Sequence, residues 1–189
     1  MLDQLLQYDK DLFLFLNGLG TPTWDGFWMF MTKTRNSFPL YVLLLYLSYK
    51  NFGWKKTGII LVSVALLITC TDQLSNFFKY GVGRLRPCHD PEISEIMRLV
   101  KSYCGGKFGY FSAHAANSFG PATFFTILFC GKVRYMGFIL MIWACLVAYS
   151  RIYIGVHFPL DVFTGAVVGL VFGWLFAKLA IFAFQKIGT

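Results

Sequence analysis

The chain has 189 residues, of which 57% are hydrophobic and 14% charged, with 17 Lys and Arg against 9 Asp and Glu for a net charge of +8. A soluble domain of this length needs a far more polar surface, so the composition excludes an ordinary water-soluble globule and points to a chain whose apolar residues face lipid. The basic excess is not one block: Lys50, Lys55 and Lys56 form one cluster, Lys132 and Arg134 another, and Lys178 and Lys186 lie near the chain end. Nucleic acid is therefore not an expected partner, and the basic turns read as topology signals between apolar runs.

Taken in order, residues 2–16 set Leu5, Leu6, Leu12, Phe13 and Leu16 against Gln4, Gln7, Lys10 and Asp11 in helical register. That pattern suits an interfacial N-terminal helix, or equally a cap over a bundle. Asp3 precedes Lys10 and the apolar pattern breaks at residues 17–22, so no removable signal peptide is expected. Two short apolar pieces follow, at residues 24–31 and 38–49. Residues 57–78 are long enough to cross a bilayer, which takes about 20 apolar residues, and three further runs occupy residues 115–130, 135–154 and 158–184. The expectation is an all-α, polytopic membrane bundle of about six transmembrane helices, a single domain over residues 1–189, with an external loop near residues 85–114.

Placing the basic turns inside sets the end of the 57–78 span, the polar loop and the turn at residues 150–161 together on the outer face. Gly165, Gly169 and Gly173, four apart, form a smooth helical face that suits close packing inside the bundle or a homodimer seam, the former being favoured. Cys70, Cys130 and Cys145 lie in apolar runs and read as core residues. Cys88 and Cys104 fall in the external loop, where an oxidising compartment permits a disulfide that would restrain it. A metal site from Cys88, His89 and Cys104 is the poorer alternative, because no second Cys or His pair completes the set.

Three polar clusters stand at the edges of apolar runs, where ionisable groups are costly. In the first, Lys79 and Arg86 stand seven apart, nearly one helical face, with Asp72 and Asn76 extending the stripe, Arg84 adding a cation and Pro87 ending the helix. The second is Tyr110–Phe111–Ser112–Ala113–His114, where Ser112 can cap the following helix and its free N–H groups can take an anion. The third holds Ser150 and Arg151, a turn at Gly155, then His157 and Asp161, four apart, so that the carboxylate can hold one imidazole nitrogen and sharpen the other as a nucleophile. Each cluster alone has a bland reading: a snorkelling collar, a capped helix, an interfacial histidine. Together they supply the donors and the nucleophile that a tetrahedral phosphate needs.

These residues resemble the type 2 phosphatidate phosphatase superfamily, whose pattern is K-x6-R-P, then P-S-G-H, then S-R-x5-H-x3-D. The first motif is complete as Lys79, Arg86 and Pro87, and the third as Ser150, Arg151, His157 and Asp161. In the second, Phe111 stands where Pro is usual and Ala113 where Gly is usual, while Ser112 and His114 match. The resemblance implies a membrane lipid phosphatase without metal or other cofactor. His157 would attack phosphorus, Asp161 would orient it, and His114 would protonate the leaving oxygen and then activate water. Lys79, Arg86, Ser112, Ala113, Ser150 and Arg151 would bind the phosphate. The implied substrate is a lipid phosphate in the bilayer, with polyprenyl diphosphate favoured over phosphatidylglycerol phosphate, phosphatidate or lipid A. The implied location is a bacterial inner membrane with the site on the extracytoplasmic face. A haloperoxidase and a non-enzymatic lipid head-group binder or transporter are the rival readings. The first conflicts with the membrane composition, and the second gives no reason for His157, Asp161 and His114 together.

Overall fold

The computed structural model describes residues 1–187. It is all-helical: α1 (Leu2–Gly18), α2 (Pro22–Thr32), α3 (Phe38–Val82), α4 (Ala113–Leu128), α5 (Met136–Tyr153) and α6 (Pro159–Ile187), with 3-10 turns at Thr34–Ser37 and Pro87–His89. Helix α3 is two rods. Gly53 interrupts it at φ 74° and ψ 173°, a backbone conformation that only glycine adopts without strain. The two legs fold back on each other, since Tyr41, Leu44 and Ser48 share one groove with Ile68, Val64 and Ile60 in antiparallel order.

By length and composition three helical segments can cross a membrane: Thr34–Val82, Met136–Tyr153 and Pro159–Ile187. The first of these contains both antiparallel legs of α3, so length and composition alone do not establish the expected six. Helix α2 has 11 residues, about 16 Å of rise, which is too short to span. Helix α4, with 16 residues, is instead the central post, packed by α3, α5 and α6. Its Ala115, Ala116, Ala122 and Phe124 are fully buried, and Phe125 stacks on Phe129 at 5.6 Å.

The glycine ladder of α6 faces α4, which favours packing within the bundle. A Cβ at Gly169 would come within 2.6 Å of the Ala116 carbonyl and 2.9 Å of the Gly120 nitrogen, while one at Gly165 would collide with the Ser112 carbonyl. Only glycine lets these backbones approach so closely. The free cysteines correct the sequence reading: Cys70, Cys130 and Cys145 are exposed on the outside of the bundle. In a membrane protein an apolar run has no inward bias, because lipid accepts the same side chains as the core does.

Helix α1 does not simply lie alongside. Its buried residues are Asp9, Phe13 and Asn17, one every four residues. Asn17 donates to the backbone carbonyls of Arg98, Ile152 and Tyr153 at 3.0–3.2 Å and accepts from the Arg98 N–H at 2.7 Å. Phe13 meets Phe158 edge-on at 5.4 Å. The helix caps the bundle end where the polar loop and the 150–161 turn meet. At the opposite end, Phe52 stacks on Phe129 at 5.9 Å, with Lys132 5.3 Å from the Phe52 ring and Lys56 5.7 Å from that of Phe184. The basic turns therefore gather at the end remote from the three motifs.

The α4–α6 contact supplies a direct test. Gly169→Ala is expected to lower the thermal midpoint in detergent through about 1–3 kcal/mol of overpacking. Gly58→Ala, where an added Cβ meets nothing within 4 Å, is expected to leave it level or raised. Equal midpoints for the two variants would contradict the packing described.

Candidate active site

Local structure brings the three motifs to one end. Helix α3 stops at Val82 because Gly83, at φ 68°, closes it with its N–H on the Lys79 carbonyl at 3.1 Å. This corrects the sequence reading, in which Lys79 and Arg86 shared a continuous helix ended by Pro87. Arg86 lies beyond the helix and is returned to Lys79 by the turn. Its N–H donates to the Lys107 carbonyl at 3.1 Å, and the Gly109 N–H donates to the Arg84 carbonyl at 2.9 Å. Its guanidinium holds the Phe108 and Cys104 carbonyls, each at 3.1 Å. Cys88 and Cys104 form a disulfide with Cα atoms 6.0 Å apart, tying the segment after Pro87 to the one that Arg86 grips.

The second motif starts α4. Ser112 caps it, accepting the Ala115 N–H at 3.4 Å, and the Ser112 N–H donates to the Asp161 carbonyl at 2.9 Å, joining the second motif to the third. Phe111, in place of the usual proline, is buried against Phe78 at 5.8 Å, and its carbonyl accepts from Ser75 at 3.0 Å. In the third motif the α5 helix ends at Tyr153, Gly155 turns the chain at φ 84°, and α6 begins at Pro159. His157 thus precedes the helix, while Asp161 lies in its first turn.

The result is a cavity of about 560 Å³ lined by Lys79, Arg86, Ala113, His114, Arg151 and His157, with Asp72 and Asn117 at another part of its wall. Arg151 is 5% exposed. One of its nitrogens donates to Thr32 Oγ1, and its Nε has no partner. Among the described residues, none of the ion pairs includes Lys79, Arg86 or Arg151. A buried cation without a counter-charge is costly, and these three converge on one space that an anion would fill. Asp72 does not neutralise them by contact; its Oδ1 accepts from Asn117 at 2.7 Å.

Three of the sequence-selected residues lie behind this wall. Ser112 and Ser150 are fully buried and do not line the cavity. The Ser150 hydroxyl donates to the Val147 carbonyl at 2.6 Å, and that of Ser112 serves as the cap. Asp161 is also fully buried, with Oδ2 accepting the Phe158 N–H at 3.1 Å. It lies 3.5 Å from His157 Nδ1, an electrostatic contact rather than a formed hydrogen bond, and Nδ1 has no other partner. Burial, with Arg151, Arg86 and Lys79 nearby, holds the His157 imidazole well below the ordinary histidine range. At neutral pH it is unprotonated and has a lone pair to offer.

Sequence reasoning missed the role of Arg84, read there only as one more cation of the first cluster. Its guanidinium bridges two carboxylates, Asp161 at 2.9 Å and Asp9 of α1 at 2.6 Å, and lies 4.2 Å from the Phe158 ring centre. The other Asp9 oxygen accepts the Leu160 N–H at 2.8 Å. The signal was present in the spacing of Asp9, Phe13 and Asn17, a polar–apolar–polar stripe on one helical face.

Known proteins resemble this chain in sequence and in fold. The sequence profile described as the PAP2 superfamily matches residues 56–184. A lipid A 4'-phosphatase of Bacteroides thetaiotaomicron is 41% identical over 95% of this chain and 80% of its own length. An undecaprenyl-diphosphatase of Sulfolobus acidocaldarius is 29% identical over 88% of this chain and 76% of its own. Among solved structures, a transmembrane PAP2-type phosphatidylglycerolphosphate phosphatase from Bacillus subtilis superposes with a TM-score of 0.73, covering 93% of this chain and 86% of that one; at 18% identity it supports the fold alone. The chain belongs to the PAP2 superfamily and is an integral membrane phosphoric ester hydrolase.

Removing Arg84 leaves Asp9 and Asp161 adjacent without their shared cation, a loss of about 3 kcal/mol for a buried pair. Arg84→Ala is expected to undock α1, so that limited trypsin treatment in detergent cuts after Lys10 faster than in the parent. An unchanged cleavage rate would show that the bridge does not hold the helix.

Proposed function

We propose that this enzyme removes a phosphate from lipid A or a closely similar phosphorylated glycolipid, through a phosphohistidine formed on His157. The observation that carries the substrate is the higher identity, over more of the chain, to the lipid A relative than to the undecaprenyl-diphosphatase. The polyprenyl diphosphate favoured on sequence alone becomes the second reading, ahead of phosphatidylglycerol phosphate and phosphatidate.

In the mechanism, Lys79, Arg86 and Arg151 hold the non-bridging oxygens, together with backbone N–H groups at Ala113 and the start of α4. The unprotonated imidazole of His157 attacks phosphorus, the bond to the lipid oxygen breaks, and that oxygen takes a proton from His114, whose hold on it burial and the neighbouring cations weaken in the free site and the negative charge of the bound phosphate strengthens again. His114 then takes a proton from water, the water oxygen attacks, and the phosphorus–nitrogen bond breaks to release inorganic phosphate. Asp161, fixed by Arg84 and the Phe158 N–H, stabilises the positive charge that His157 carries in the intermediate. Ser112 and Ser150 act one step back, by setting the start of α4 and the end of α5. The fixed cations supply the charge stabilisation that a metal ion provides in other phosphoryl transfers.

The membrane orientation is read from the basic turns remote from the site, which hold Lys50, Lys55, Lys56, Lys132 and Arg134, because the basic residues at the site end line its cavities or pair with acidic side chains there and are set by the site rather than by topology. Basic termini of spans stay in the cytoplasm, which supports a site on the extracytoplasmic face of a bacterial inner membrane. There, α1 with its exposed Leu2, Leu5, Tyr8, Leu12 and Phe15 rests at the interface.

Purified protein assayed for phosphate release against lipid A, undecaprenyl diphosphate, phosphatidylglycerol phosphate and phosphatidate is expected to turn over lipid A fastest. His157→Ala is expected to lower the rate by about 10³-fold or more on every substrate, as loss of a covalent nucleophile does. Near-normal hydrolysis by that variant eliminates the mechanism. Faster turnover of undecaprenyl diphosphate by the parent protein replaces the substrate. A head-group binder or transporter would release no phosphate from any of them.

A further inference from the structure

The cavity has a side chamber of about 430 Å³ whose lining includes Lys33, Arg35, Lys101, Tyr103 and Arg151. Thr32, Thr34, Lys101, His114 and Arg151 line both spaces, so the side chamber opens into the place where phosphate would sit. Among the described residues, no acidic side chain lines it.

The basic residues at this end of the bundle are sorted by where they stand. Those away from the two spaces are neutralised: Lys10 by Asp90 and Glu92, Arg84 by Asp9 and Asp161, and Arg98 by Asp25. The remaining outlier, Lys107, lies over the Phe108 ring at 5.7 Å. Lys33, Arg35 and Lys101, by contrast, take part in none of the ion pairs among the described residues. Lys101 lies against Tyr103, 3.9 Å from its ring centre, a neutral neighbour that leaves its charge uncompensated. Acidic side chains were within reach of this end of the fold, since they pair the neighbouring cations. Their absence here leaves Lys33 and Arg35 facing the side chamber and Lys101 at its junction with the main cavity, beside Lys79, Arg86 and Arg151. One phosphoryl group is already provided for by Lys79, Arg86 and Arg151, and like charges collected without a counter-ion repel one another unless an anion joins them.

We propose that the side chamber holds a second phosphate carried by the same substrate molecule, and that Lys33 and Arg35 with Lys101 make the enzyme selective for doubly phosphorylated lipid. This rests on the lipid A reading and sharpens it. Relatives in this family act on phosphates at two separate positions of lipid A, 4' and 1, so that lipid can present one phosphate to the nucleophile while the other is held aside. A lipid with a single phosphate leaves the side chamber without its anion.

The test uses the full-length enzyme in neutral detergent micelles, where the substrate is the only phosphate carrier, with lipid A bearing both phosphates and with its 1-dephosphorylated form. The parent enzyme is expected to show a kcat/KM about tenfold higher for the doubly phosphorylated lipid, the size of one good charge-assisted contact. Lys33→Ala/Arg35→Ala is expected to bring that value down to the singly phosphorylated level, while activity on the latter stays within about twofold, as for exposed charges remote from the reacting atoms. Equal kcat/KM for the two lipids in the parent enzyme overturns the inference and leaves the lipid A reading standing. An equal loss on both lipids in the double variant overturns it as well, assigning the pair a structural role. Failure of the parent enzyme to act on either lipid removes the lipid A reading and this inference with it.

Discussion

Three cations without a counter-charge, Lys79, Arg86 and Arg151, surround one cavity at the end of an apolar bundle, and much of the surrounding structure exists to keep them there. In water such a cluster would disperse or recruit ions at little cost. Beside a bilayer it must be held by fixed constraints: the αL cap at Gly83, the backbone carbonyls of Cys104 and Phe108 on Arg86, the Cys88–Cys104 disulfide and the Thr32 hydroxyl on Arg151. The same electrostatic field acts on His157. Burial and positive neighbours keep it unprotonated, which is the state a nucleophile needs, and the incoming phosphate relieves the repulsion that its absence leaves.

The second constraint is the close approach of α4 and α6. The glycine ladder brings α6 onto the α4 backbone, and the Ser112 N–H then reaches the Asp161 carbonyl. Helix packing, the junction of the motifs and the geometry of the candidate site are thus one structure. Helix α1 adds a third support by sending Asp9 to Arg84, which in turn fixes Asp161. The carboxylate that faces His157 is thus held by contacts outside the cavity.

Much of this was legible in the sequence, for identifiable reasons. The long apolar runs gave α5, α6 and the second leg of α3 because crossing a bilayer demands an uninterrupted apolar stretch. The motif residues stood out because ionisable groups at such edges are costly. Other features could not be read. The exposed Cys70, Cys130 and Cys145 show that apolar periodicity does not separate lipid from core. The helix end at Gly83 was masked by a seven-residue spacing that happens to fit a helix, although Gly83 itself was a usable stop signal. The inward placement of Ser112 and Ser150, and the bridging role of Arg84, depend on contacts between segments far apart in sequence, which no local pattern encodes.

The most direct measurement of the central claim is a high-resolution structure of the enzyme with orthovanadate, an analogue of the phosphoryl group in flight. The account predicts vanadium bonded to the His157 imidazole nitrogen remote from Asp161, with its oxygens on Lys79, Arg86 and Arg151 and one oxygen toward His114. Vanadate held by other residues, or held by these cations with His157 turned away from it, would contradict the account.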